Sequence, residues 1–170
     1  IDAQGRPWAG DAKLVVDMNV VPEHAGQRAL FEANRDLYPD AWRKISEDFD
    51  YVEIDRQGSI GLVTTGAGLS MMLIDELVAH GARPINFCDI RTGQMRGRPD
   101  RLVSVLGWLG EIPTLRVVLV NVFAGITDLG EFAHLLLEAR RLCPAITVPV
   151  VARLVGHNAA QLSGGQRQRL

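Results

Sequence analysis

Residues 117–128, VVLVNVFAGITD, restrict what this chain can fold into more than any other stretch. A β-branched and aliphatic run without polar/apolar alternation predicts a strand covered on both faces, as in a parallel sheet. Ala124 and Gly125 follow, small enough for a tight turn and for close approach of a ligand to the backbone. Thr127 or Asp128 can then cap a helix whose apolar positions include Leu129, Phe132, Leu135 and Leu136. Strand, small turn and helix start bring unpaired amides and a positive helix end together, the makings of an anion site. An ordinary strand-to-helix junction reads the same way, so the other junctions have to be weighed with it.

The unit recurs along the chain. Residues 59–65 (SIGLVTT) predict a strand, and Gly66-Ala67-Gly68 a turn. A helix over 69–80 follows, with Leu69, Met72, Leu73, Leu77 and Val78 apolar and Gly81 closing it. A second strand over 84–90 leads through an Arg/Gly-rich loop to Pro99, then to a helix over 100–109 ended by Gly110. The third strand and helix span 116–123 and 127–143, and a fourth strand spans 148–154. A further helix starts after Gly156-His157-Asn158. Strands alternating with helices predict an α/β fold: a mainly parallel, flavodoxin-like sheet with helices on both faces, three layers in all. Ligands on such sheets bind beyond the carboxyl ends of the strands. Here those ends are Thr65-Gly66 and residues 89–94, 121–127 and 153–158, all rich in small or polar side chains.

Upstream the pattern differs. Residues 1–20 read as a turn at Ala3-Gln4-Gly5-Arg6 and one strand running on to Asp17, a hairpin without most of its first strand. The beginning inside a hairpin suggests a domain that starts earlier. Residues 21–57 read as a polar connecting arm with a helical section over 29–49, anchored by Leu30, Phe31, Leu37, Trp42 and Ile45. Residues 58–170 carry the repeating units.

Composition narrows the function classes. Of 170 residues, 47% are hydrophobic and 22% charged, which suits a globular chain with a real core. A net charge of −2 and the lack of any Lys/Arg block give no electrostatic case for nucleic acid or an anionic membrane. No apolar run reaches membrane-spanning length and no signal-peptide core is present, so the reading is cytoplasmic. Cys88 and Cys143 stand alone in apolar surroundings, without metal-ligand spacing, as buried thiols of a reducing compartment.

Several motifs compete for the chemistry. The tail LSGGQRQRL, residues 162–170, spells the signature loop of an ABC-type ATPase, but no G-x-x-x-x-G-K-[ST] loop accompanies it to hold phosphates. Gly66-Ala67-Gly68 lacks the third glycine of a dinucleotide fingerprint and fits a close-packed turn better. No Ser/His/Asp or Cys/His set is evident; among the histidines only His157 falls at the carboxyl edge. Asp11 is a lone carboxylate on a strand, and a magnesium site needs further oxygen ligands.

Taken in order, these edges resemble the β subunit of the ADP- or GDP-forming succinate–CoA ligases. The resemblance rests on Asp11-Ala12-Lys13, Thr65-Gly66-Ala67-Gly68-Leu69, residues 80–89 (HGARPINFCD), residues 121–126 (NVFAGI) and residues 149–158 (PVVARLVGHN). It implies that 58–170 form the CoA-ligase domain, without its last strand and helix. It also implies that 1–20 are the tail of an ATP-grasp domain whose nucleotide is ATP or GTP with Mg2+. The implied reaction joins a small carboxylate to CoA by way of an acyl phosphate, with a phosphohistidine on an α-subunit partner. Matching the motifs residue by residue assigns Thr65, Gly66, Gly125, Ile126 and Thr127 to the substrate and Asp11 to magnesium, with no catalytic residue on this chain.

Three departures from the family pattern stand out. Thr65 replaces an Asn, Arg91-Thr92-Gly93 replaces a glycine triplet, and Asp128 stands where an Arg is common. Arg91 thereby suggests an acid with an extra group to hold. The enzyme reading has an alternative, a non-catalytic paralogue that keeps the fold as a binding or assembly module.

Overall fold

The computed structural model describes residues 2–7, 10, 11, 13, 15–18, 20–123, 125 and 127–156. The chain divides into two compact units, Ile1–Ser46 and Glu47–Leu170.

The N-terminal unit is helical. Asp2 organises a turn, its carboxylate accepting from the Gln4 and Arg6 amides and pairing with the Arg6 guanidinium at 2.7 Å. No strand forms among the described residues of 1–20, and the hairpin expected there falls partly outside them. The predicted helical section is two helices, α1 (Ala25–Ala33) and α2 (Pro39–Glu47). The break has a local cause. Asn34 turns its amide back onto the Leu30 carbonyl at 2.8 Å, and Pro39, without an N–H, can begin a helix but not continue one.

The second unit is the predicted α/β fold. Its elements run β1 (Asp50–Glu53), β2 (Ile60–Thr64), α3 (Ala67–Ala79), β3 (Asn86–Asp89), α4 (Asp100–Gly110), β4 (Val117–Phe123), α5 (Leu129–Leu142) and β5 (Val150–Val155). Strands β2, β4 and β5 pair in parallel in that order. β1, within the stretch read from sequence as connecting arm, pairs antiparallel with β3 as an edge strand.

β3 joins β2 through an unusual seam. The Ile85 and Ile90 amides donate to the Ile60 and Thr64 carbonyls at 2.8 and 2.9 Å. Between them the Asn86 side chain takes the place of a peptide group, accepting from Leu62 N at 2.8 Å and donating to Leu62 O at 2.9 Å. The strand order is therefore β1-β3-β2-β4-β5.

From β2 the chain leaves toward β3, and from β4 it leaves the opposite way toward β5. With right-handed crossovers, α3 lies on one face and α4 and α5 lie on the other. Side chains alternate accordingly. Val63, Val118, Val120, Val122 and Val150 share a core with Leu102, Leu106, Leu109, Phe132 and Leu136 of α4 and α5. Trp108 of α4 extends it over β1, its ring 4.9 Å from that of Tyr51 and 5.8 Å from that of Phe49. Gly61 is required on this face, because a Cβ there would sit 2.8 Å from both methyls of Leu109. Gly81, at φ +76°, ends α3 as its sequence predicts.

Candidate functional site

The reversal of direction between β2 and β4 opens a crevice at their carboxyl ends, where a sheet of this winding holds its ligand. An open cleft of about 430 Å³ lies there. Thr65 and Gly66 line it from the tip of β2, Asp89 and Arg91 to Gln94 from the end of β3 and the loop after it, and Phe123, Gly125 and Thr127 from the end of β4. Four of the residues singled out from sequence, Thr65, Gly66, Gly125 and Thr127, thus border one cavity. Ile126 lies outside the described residues, as do His157 and the tail 162–170. Asp11 belongs to the N-terminal unit and is exposed.

Thr65 is buried, and its hydroxyl accepts from the Phe123 amide at 3.2 Å. It stitches the tips of β2 and β4 together. Gly66 holds φ +80° and ψ 114°, which a side chain would strain, and its amide donates to Asp89 Oδ1 at 3.0 Å. The Arg91 amide reaches the same oxygen at 3.3 Å. Asp89, at the end of β3, is therefore the carboxylate that ties the β2 tip to the β3–α4 loop. Beneath it, Thr64, Ser70 and the Cys88 carbonyl form a buried hydroxyl network, with 2.6 Å between the two hydroxyls.

At α5 the structure corrects the expectation of an open anion site. Asp128 caps the helix as its sequence allows, and Oδ1 accepts from the Gly130 and Glu131 amides at 2.8 and 3.1 Å. Two first-turn amides that an anion would use are thereby satisfied by the chain's own carboxylate. Thr127, just before the cap, bonds Thr92 hydroxyl to hydroxyl at 2.8 Å and closes the gap between the β4 end and the β3–α4 loop.

Arg91 is also not the free cation that sequence suggests. Its guanidinium donates to Asp50 Oδ2 at 2.7 Å and lies 3.6 Å from Asp48. Nothing in the sequence pairs residues so far apart; the antiparallel contact of β1 with β3 does it, through the register Asp50 to Asp89. Arg101, at the start of α4, was not singled out by sequence and does the most to shape the loop. It donates to the carbonyls of Ile90 and Arg91 at 3.3 and 3.4 Å, to Gln94 Oε1 at 3.1 Å and to Asp48 at 3.2 Å. A planar fork of five donors suits such a task, which a lysine could not copy.

Nucleophilic thiol chemistry is absent from Cys88. Burial pushes its thiol up to about 12, so it stays protonated at neutral pH. Cys143 is buried as well and is also raised by burial. Among the described residues no three His, Cys, Asp or Glu side chains gather as metal ligands, and no helix is long and apolar enough to cross a membrane.

Comparison with known proteins adds an independent line. The model of the CoA-ligase family matches residues 63–170. The β subunit of an ADP-forming succinate–CoA ligase from Desulfurococcus amylolyticus is 37% identical, over 91% of this chain and 38% of its own length. Its counterpart from Bacteroides thetaiotaomicron is 34% identical, over 93% of this chain and 40% of its own. The chain thus spans about two-fifths of the length of these curated relatives. Among solved structures, ATP citrate lyase from Methanothrix soehngenii superposes with a TM-score of 0.53 at 16% identity, over 79% of this chain and 36% of that one. The enzyme from Methanosaeta concilii gives 0.54 at 15%, over 66% and 31%. At such identities the likeness is one of fold.

Proposed function

This chain belongs to the CoA-ligase family, and from that premise we propose that it is part of the β subunit of an NDP-forming carboxylate–CoA ligase. The complete enzyme would join an acid, CoA and ATP or GTP into an acyl-CoA, with NDP and phosphate released. Succinate or a related di- or hydroxy-acid would be the substrate. An α-subunit partner would supply the phosphorylated histidine, and the thioester would form through an acyl phosphate. A cytoplasmic setting suits the two buried, unpaired thiols.

The observation that carries this reading is the convergence of Thr65, Gly66, Gly125 and Thr127 on one cleft at the switch point of the sheet. Their task there is binding and orientation. Gly66 and Gly125 leave backbone bare for close approach, Thr65 fixes the spacing of the two strand tips, and Asp128 holds the first turn of α5 in place. Asp11 would be one magnesium ligand of the nucleotide site. Any further ligands of that site would come from the nucleotide-binding part of the complete enzyme.

A second reading has its own support. Asp89 and Asp128 occupy amides that an anionic guest would use, and Asp50 neutralises Arg91. A paralogue that has given up turnover and kept the fold for binding or assembly would show this pattern. Expression of the full-length protein with an α-subunit partner, followed by assay of CoA- and acid-dependent NDP formation over mono-, di- and hydroxy-acids, separates the two. Turnover with at least one acid is the expected result; a stable complex inert toward every acid would leave the binding module.

A further inference from the structure

The β3–α4 loop has a second side. Behind the Thr92–Thr127 hydroxyl pair lies a pocket of about 200 Å³ that shares Thr92, Gly93 and Thr127 with the main cleft. At roughly 30 Å³ per water this is the volume of about six or seven waters, enough for part of a small organic acid. Its base is apolar and packed, for Met95, Phe132 and Leu135 are 6%, 1% and 8% exposed. Its rim is charged, with Arg96, Asp128 and Glu131.

The charges on that rim are not equivalent. The Asp128 carboxylate is engaged by the Gly130 and Glu131 amides. Arg91 and Arg101 are held by Asp48 and Asp50, and Arg98 pairs with Asp100 at 2.7 Å. Among the described residues, Arg96 alone of the cations in and beside this loop has no carboxylate within ion-pair reach. It also keeps a left-handed backbone, φ 50°, which residues bearing a side chain seldom adopt. A Glu131 carboxylate oxygen lies 3.1 Å from where a Cβ on Gly97 would sit, so this side chain turns toward the loop. The rim therefore offers a forked donor and an acceptor over an apolar floor.

Building on the carboxylate–CoA ligase reading, we propose that this pocket is a subsite for the far end of the acid, a second carboxylate with a hydroxyl beside it. Arg96 binds the carboxylate through paired N–H donors, and Glu131 accepts a hydrogen bond from the hydroxyl. Thr92 and Thr127 form the partition over which the acid reaches from the cleft into the pocket. The extra group that sequence assigns to Arg91 is thus held by Arg96.

The test uses the full-length protein in complex with its α-subunit partner, with succinate, 2-hydroxysuccinate and butyrate as probes. Binding is read by calorimetry and turnover by kcat and KM. Wild type is expected to favour 2-hydroxysuccinate. Arg96→Gln should weaken both dicarboxylates about tenfold, roughly what one charge-assisted hydrogen bond is worth, and leave butyrate unchanged. Glu131→Gln should erase the preference for 2-hydroxysuccinate over succinate. Both changes are to act on Kd and KM rather than kcat, since the far end does not react. Equal effects of Arg96→Gln on all three acids, or none on any, overturn the subsite. Binding with the expected Arg96 dependence but no turnover supports the subsite while removing the ligase reading. Wild type that binds none of the acids overturns the subsite whatever else it turns over.

Discussion

The two faces of the sheet are built on different principles. Toward α4 and α5 the face is closed by aliphatic and aromatic side chains, many without measurable exposure. Toward α3, polar contacts join the buried Leu62: Thr64 with Ser70, and Arg153 with Asn121 at 3.0 Å. Large apolar side chains stand open there, with Phe123 60% and Val151 52% exposed, as are Met71 and Met72 of α3. The first face makes the unit stable, whereas the second sets the register and angle at which strand tips enter the cleft. Stability and positioning are thereby separable, and substitutions can break them apart.

The largest effect is expected on the closed face. Phe132→Ala removes a 1% exposed ring from the core and should lower stability by about 3–5 kcal/mol, read from urea unfolding. Next comes the seam. Asn86→Ala strands the buried N–H and C=O of Leu62 and should cost about 2–3 kcal/mol, a sizeable loss for a polar contact. A smaller, pH-dependent effect belongs to Cys88. Its folded thiol is raised to about 12 against an ordinary 9.0, so the unfolded chain ionises first and stability declines as pH rises above 9.0. Urea midpoints at pH 8 and 10 should show that decline in wild type and much less of it in Cys88→Ala; Cys88 should also resist thiol reagents until the chain unfolds. The smallest effect is predicted for Met72→Ala on the open face, within about 0.5 kcal/mol of wild type. A Met72 cost as large as that of Phe132 would dissolve the distinction between the faces.

What sequence could show follows the same division. The strand at 117–123 and the helix after it were legible because an unbroken aliphatic run, a small turn and an acidic cap each carry a local signal. So did Gly81 at the end of α3, where a left-handed residue was needed. β1 was not legible: four residues with two carboxylates, DYVE, have too little pattern, and only pairing with β3 makes them a strand. The Asn86 seam and the Arg101 fork escaped for a related reason, since a side chain that replaces or binds backbone far away leaves no periodic trace. At the cleft the positions were readable and their state was not. Sequence marks Asp128 as a good cap that weakens the pull on an anion; the structure adds which two amides of the expected anion site its carboxylate occupies. Sequence offers Arg91 as a cation for a ligand because its partners Asp48 and Asp50 lie on the far side of a strand pairing.

The claim on which everything else depends is that the ligand sits at the strand tips between β2 and β4. Amide hydrogen exchange on the full-length protein in complex with the proposed α-subunit partner, with and without an acid that supports turnover, tests this directly. Slowed exchange is predicted in residues 65–70, 90–97 and 125–131, with little change in β5 or in the helices of residues 25–47. Turnover accompanied by unchanged exchange in all three segments, or by protection confined to other parts of the chain, would contradict it.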